Sequence, residues 1–408
     1  MAGCADGASD DHEAAESEAA QVAASVVVAD TRATSAAIVT ADRITLPGGA
    51  GDRYRALTPG AIFVGARGAT KSGNPDGFLR RVVSVGDENG ALVVRTTDAT
   101  LTDAIVRGSV RASSGGNAFD GEIHSASSTL RPQSREELTA IAVDFSDKPL
   151  FGGVDEIDVA GGKAKFTESI HLDRAVLTAK PIVDVDLSIR DGAVSRFIAR
   201  VAGNLDTSVK ARATVTAEGD VNEATLAELA TRKHDVERVI YQSPRVALPT
   251  FAVAGVPVSP SVQFTVRLRC ALAFGGPLAA EAGVEGRAAV RLGAVFENGA
   301  WQPPIKSDFQ IQPSFAMSRS GAIDARCAIE ADAQLFAYGT SGVTLTVAPY
   351  VDFGVKREAE GHRFKVQGGA TGHLRGDAQV FGVRIPETTS PLAEWNAPSL
   401  LEGVSNAP

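Results

Sequence analysis

Carboxylates spaced two residues apart recur along this chain, at Glu156/Asp158, Asp184/Asp186 and Glu330/Asp332. Residues i and i+2 of a β-strand share a face, so each pair could divide acid and base roles in glycan hydrolysis or collect Ca²⁺. A solvated strand face has the same appearance, and the calcium-loop pattern D-x-[DN]-x-[DN]-G is absent. The histidines His124, His171, His234, His362 and His373 lie far apart, none at ligand spacing from another. They are expected to be solvated or singly satisfied, with no metal centre. His12-Glu13-Ala14-Ala15-Glu16 carries glutamate where H-E-x-x-H needs its second zinc-binding histidine.

Nucleophile and phosphate motifs fare no better. GARGATKS, residues 65–72, approaches a P-loop, but Thr70 stands where glycine must let the backbone wrap phosphate. Gly73-Asn74-Pro75-Asp76-Gly77 then breaks the helix whose N-terminus should face the phosphates. No G-x-S-x-G elbow occurs. Cys270 and Cys327 fall in apolar strand phases, where a thiolate is disfavoured. The expectation is no catalytic, cofactor-binding or metal-ligating residue, and no cofactor.

Composition narrows the remaining classes. A net charge of −9 and a pI near 5.3 argue against a nucleic-acid partner. No apolar run reaches the ~18–20 residues of a membrane-spanning helix. Sugar rings stack on exposed aromatics, and the chain has only two Trp and four Tyr. Transmembrane barrels need aromatic girdles, for which that supply is also short.

The elements that must position any site read as strands. Leu205, Thr207, Val209, Ala211, Ala213 and Val215 alternate with polar residues, as do Val262, Phe264, Val266, Leu268, Cys270, Leu272 and Phe274. Ile323, Ala325, Cys327, Ile329, Ala331, Ala333 and Leu335 form a third apolar phase. Asn89-Gly90, Asp191-Gly192 and Asn298-Gly299 are type I′ hairpin signals, the last setting Phe296 opposite Trp301. Residues 222–232 are a helical candidate, and 100–105 could form one turn.

The predicted fold is all-β, mostly antiparallel, a β-sandwich or curved sheet with a small N-terminal β domain. Its predicted segments are an acidic tether (1–35), a small β domain (36–107), a Ser/Gly-rich linker (108–136), a large β domain (137–386) and a polar C-terminal tail (387–408).

Met1-Ala2-Gly3-Cys4 resembles the lipobox of bacterial lipoproteins, with Met1 where leucine is usual. The resemblance implies cleavage before Cys4 and attachment of a diacylglycerol to its thiol. It requires a basic then apolar stretch encoded upstream of Met1. Residues 5–25 carry six carboxylates and no Lys or Arg, as suits a solvated tether behind such an anchor. LTPGAIFVGA and GFLRRVVSVGDENGALVVRTTDATLTDAI, within residues 57–105, resemble a module of secreted and surface proteins without assigned chemistry.

The function expected is that of a non-catalytic cell-envelope or surface lipoprotein with a structural or adhesive contact role. It would be outer-membrane-anchored or extracellular and would meet the membrane only through its lipid. A protein or glycan partner is left open. A carrier of a hydrophobic ligand and a glycan-acting hydrolase using paired carboxylates are the alternatives. With Cys4 lipidated, Cys270 and Cys327 remain as an even pair suited to an oxidising compartment. Both face a core, so a disulfide and two buried free thiols both stay open.

Overall fold

The computed structural model describes residues 20–69, 73–113, 141–159, 162–219, 221–275, 278–297, 299–302, 308–319, 322–358, 361–376, 381–382 and 393–405. Cys4, residues 12–16 and most of the expected linker lie outside that set. The protein is all-β, built from antiparallel sheets with one curled as a half-barrel.

Three sheets carry the architecture. A six-stranded sheet comprises residues between Val26 and Asp98, antiparallel except where Val26–Val28 pairs in parallel with Ile62–Gly65. A nine-stranded sheet is built on Gly162–Arg190, which pairs along nearly its whole length with Ala193–Glu218. On its other side, Gly162–Arg190 takes Lys148–Val159, Ile141–Asp144 and Ile105–Ser113 in succession. Leu278–Glu297 extends the sheet beyond Ala193–Glu218. A seven-stranded sheet runs from Lys233–Gln242 through Pro260–Phe274, Ile323–Ala337, Thr340–Glu358 and Gly361–Gly376 to Ala393–Ser405. A straight strand of 29 residues would span roughly 95 Å, and right-handed twist curls a sheet of such strands.

The alternation expected from sequence is what fills the interior. Val262, Phe264, Val266, Leu268, Cys270, Leu272 and Phe274 are all buried, while Arg267 and Arg269 point away. The nine-stranded sheet meets them with Phe166, Ile170, Leu172, Ala213 and Val215 at one end and Val185, Leu187 and Phe197 at the other. Gly162–Arg190 keeps this up on both halves only through a bulge. Residues 164, 166, 170 and 172 are buried before it, and 185, 187 and 189 after it. The ladder skips from Leu172↔Ala211 to Arg174↔Lys210, leaving Asp173 as the extra residue.

Cys270 and Cys327 are direct ladder partners with Cα atoms 4.1 Å apart, and a disulfide joins them. Asn89 and Gly90 have φ of 53° and 80°, and Asp191 and Gly192 have 51° and 70°. These are the two positive φ values of a type I′ turn. Gly299 has φ 77°, and the register sets Glu297 against Ala300 and Phe296 against Trp301. Asn298 itself lies outside the described residues.

Several expectations need correction. The tether ends early: residues 21–22 and 26–28 are strands, and Asp30 caps a helix at Thr31–Ala36 by accepting from Ala33 N. Val26-Val27-Val28 is a short apolar run that the expected tether overlooked. Within the expected tail, Ala393–Ser405 is an edge strand. Its proline suggests loop, but Pro398 falls where the ladder skips from Asn396↔Gly369 to Leu400↔Gln367, and a bulge on an edge strand tolerates proline. Strand Ile105–Ser113 crosses the expected 107/108 boundary and joins the nine-stranded sheet. The two expected turns of helix are present, at Leu101–Ala104 with a Thr100/Asp103 capping box and at Glu223–Thr231 capped by Asn222.

Candidate functional site

Lys148–Val159 and Lys233–Gln242 are edge strands of the two large sheets, and helix Glu223–Thr231 carries the chain from one sheet to the other. Leu229 of that helix is buried in the inter-sheet core, with Leu226 packed beside it. This closes the end of the double layer and brings three ionisable side chains together.

Asp155 lies on Lys148–Val159 in the phase of buried Ile157, so it faces inward while Glu156 and Asp158 are exposed. Glu168 occupies the apolar phase of Ala164, Phe166, Ile170 and Leu172 and is 1% exposed. His234 sits two residues before buried Val236, opposite Leu272. His234 Nε2 is 3.0 Å from Glu168 Oε2 and 3.5 Å from Asp155 Oδ2. One ligand atom from each residue lies within 4.8 Å of the other two.

None of these atoms has a hydrogen-bond partner: His234 Nε2, Asp155 Oδ2 and both Glu168 oxygens are buried without one. The separations are short, but none of them makes a hydrogen bond. Arg232, at the helix C-terminus, holds the other Asp155 oxygen, Oδ1, at 3.3 Å. Its second nitrogen contacts Glu228 Oε1 at 3.3 Å. The His234 ring lies against Phe151 and Phe274, with centroids 5.0 and 6.0 Å away. A Cβ on Gly153 would come within 2.8 Å of the Phe151 ring, so glycine there gives that ring its place. Burial, reinforced by the negative charge of Asp155 and opposed by Arg232, pushes the Glu168 carboxyl up to about 7.

The carboxylate pairs picked out by spacing do different work. Glu156 is exposed and paired with Lys163 at 3.1 Å. Asp186 lies 3.7 Å from Arg196, and Asp184 is buried one strand face away from Val185. Glu330 and Asp332 share the outer face of the seven-stranded sheet in an arginine network. Arg269 reaches Glu330 at 3.2 Å and Glu237 at 2.9 Å, while Arg267 binds Asp332. Thr346 Oγ1 donates to Asp332 Oδ1 at 2.6 Å, and Arg375 reaches the same oxygen at 3.3 Å.

Among the histidines, His171 lies 3.3 Å from Asp173, and His373 contacts Thr371 at 3.2 Å. Burial and then Arg375 hold His373 below the usual imidazole range. His124 and the His362 side chain lie outside the described residues. The expectation that every histidine stands alone is corrected at His234. The signal available in sequence was Glu168, a lone carboxylate in an otherwise apolar phase. In the P-loop-like stretch Gly65 ends the strand Ile62–Gly65 and residues 66–69 form a loop in which Gly68 N donates to Asn74 O at 2.8 Å, while Thr70 to Ser72 lie outside the described residues.

Among the described residues, no helix is long and apolar enough to cross a membrane. No protein-family model, curated protein or solved structure matches this chain.

Proposed function

We propose that this chain is a non-catalytic cell-envelope or surface protein, lipid-anchored through Cys4, whose work is structural or adhesive contact. The observation that carries the reading is the double layer itself. Strands of 29 and 26 residues pair along nearly their whole length, and their inner faces meet the seven-stranded sheet through two apolar clusters. The outer face of that second sheet is tied across strands by arginine–carboxylate pairs, and a disulfide joins two of its central strands. Such a body is rigid and suited to holding a surface in place.

The same features weigh against the alternatives. The hydrolase alternative rests on carboxylates paired by spacing, and of these Glu330 and Asp332 are both occupied by arginine. A carrier needs an apolar cavity, and the described inner phases are filled by Phe197 and Phe264 in one apolar cluster and by Phe166 and Phe274 in the other.

The test starts with the protein expressed from its natural start in a bacterial host. It is expected to enter the detergent phase on extraction, with Cys4→Ser moving it to the aqueous phase. Equal aqueous partitioning of both forms would refute the anchor. Purified protein on beads should then retain envelope components without hydrolysing glycans. Stoichiometric uptake of a fluorescent fatty acid would favour the carrier instead.

A further inference from the structure

We propose that Asp155, Glu168 and His234 bind a divalent transition-metal ion of the Zn²⁺ type, clamping the edges of the two large sheets together. This goes beyond the contact role and does not depend on it.

The geometry carries the inference. Zn²⁺ takes oxygen and imidazole nitrogen at about 2.0–2.2 Å, so neighbouring ligands around a tetrahedral ion lie roughly 3.3 Å apart. The two separations from His234 Nε2, 3.0 and 3.5 Å, bracket that value. Glu168 is the independent sign of a ligand. It is 1% exposed, both its oxygens lack hydrogen bonds, and one of them faces the His234 nitrogen. A carboxylate left without a hydrogen bond in a core is costly, and a dication held between the three ligand atoms would satisfy Glu168, Asp155 and His234 together.

The surroundings fit the same purpose. Arg232 holds Asp155 through Oδ1 and leaves Oδ2 directed inward, as outer-shell partners orient metal-binding carboxylates. Phe151 and Phe274 fix the imidazole plane. The Asp155 and His234 side chains are 21% and 19% exposed, so the cluster lies just beneath the surface. Donor chemistry selects the class. Ca²⁺ prefers six to eight oxygens, whereas one imidazole with two carboxylates suits Zn²⁺ and its first-row neighbours. The three ligands come from Lys148–Val159, Gly162–Arg190 and Lys233–Gln242, so the ion would link both sheets at the edges where no ladder joins them.

Tag-free full chain, stripped with chelator, should bind one equivalent of Zn²⁺ in competition with a chromophoric chelator. Its melting temperature should rise with Zn²⁺ and not with Ca²⁺. Glu168→Gln and His234→Gln keep side-chain volume and should weaken Zn²⁺ binding by roughly a hundredfold, while His373→Gln, outside the cluster, should not. Absence of saturable binding, or unchanged affinity in Glu168→Gln, would overturn the proposal. X-ray absorption at the zinc edge tests the unmutated protein. A shell of one imidazole and otherwise oxygen is expected; sulfur, as from Cys4, or several imidazoles would place the ion elsewhere and refute the site.

Discussion

Glu168 shows how far the chemistry of single residues could be read before folding. Its place among Ala164, Phe166, Ile170 and Leu172 is visible as a charged residue out of phase with its surroundings. Spacing drew attention instead to Glu156/Asp158 and Glu330/Asp332, because same-strand neighbours are easy to see. The partners that matter lie across strands: Arg267, Arg269 and Arg375 for one pair, and His234 for Glu168. Sequence carries no register between such distant segments. A pH prediction belongs at this scale, for the chelator-stripped protein. Glu168 rises from 4.5 to about 7 on folding, so the folded state holds a proton that the unfolded state releases between those values. Its contribution is fully present below the unfolded value and is lost as pH rises through the folded one. Stability should therefore fall across that window by roughly 2–3 kcal/mol. Glu168→Gln cannot ionise and should flatten the decline. Denaturant unfolding at about pH 5 and about pH 8 reads the difference, and identical slopes in both proteins would contradict it.

Hairpins were legible at the level of elements because their turn residues carry the conformational demand. Asn89-Gly90 and Asp191-Gly192 adopt the paired positive φ values their types favour. Two more such turns, Ala254-Gly255 and Tyr338-Gly339, carry no such signal, because their first residues are not turn formers. Tyr338 is held at φ 51° by burial of its ring and by donation from its hydroxyl to the Pro257 carbonyl. Tertiary packing there replaces local preference. At Gly299, φ is 77°, and valine would place a β-branched side chain in the left-handed region. Gly299→Val should cost about 1 kcal/mol or more in stability, read from the denaturation midpoint. A neutral result would mean that the Glu297/Ala300 closure relaxes without strain.

For the molecule as a whole, alternation made the all-β class legible, but not how its parts share a core. The sequence suggested a small N-terminal domain set apart by a linker. One apolar cluster nevertheless joins Ile62, Val64 and Leu79 of the six-stranded sheet to Val185, Leu187 and Phe197, and to Val262, Leu335 and Val343. Arg67 adds hydrogen bonds from its backbone N–H to Ser259 Oγ and from its guanidinium to the carbonyls of Leu248 and Pro260. Calorimetry should therefore show one cooperative transition, lowered by Arg67→Ala; two resolved transitions would show that the sheets unfold independently. The bulge at Asp173, held by Arg212 at 3.0 Å, has a consequence for how this chain can change over generations. It divides the 29-residue strand into two reading frames, even-numbered positions inward on one side and odd-numbered on the other. Asp173 is the extra residue, so its loss would leave one unbroken alternation with both halves still facing inward. Substitutions on either side obey opposite parity rules, and the bulge is the place where this strand can shed a residue without a compensating change.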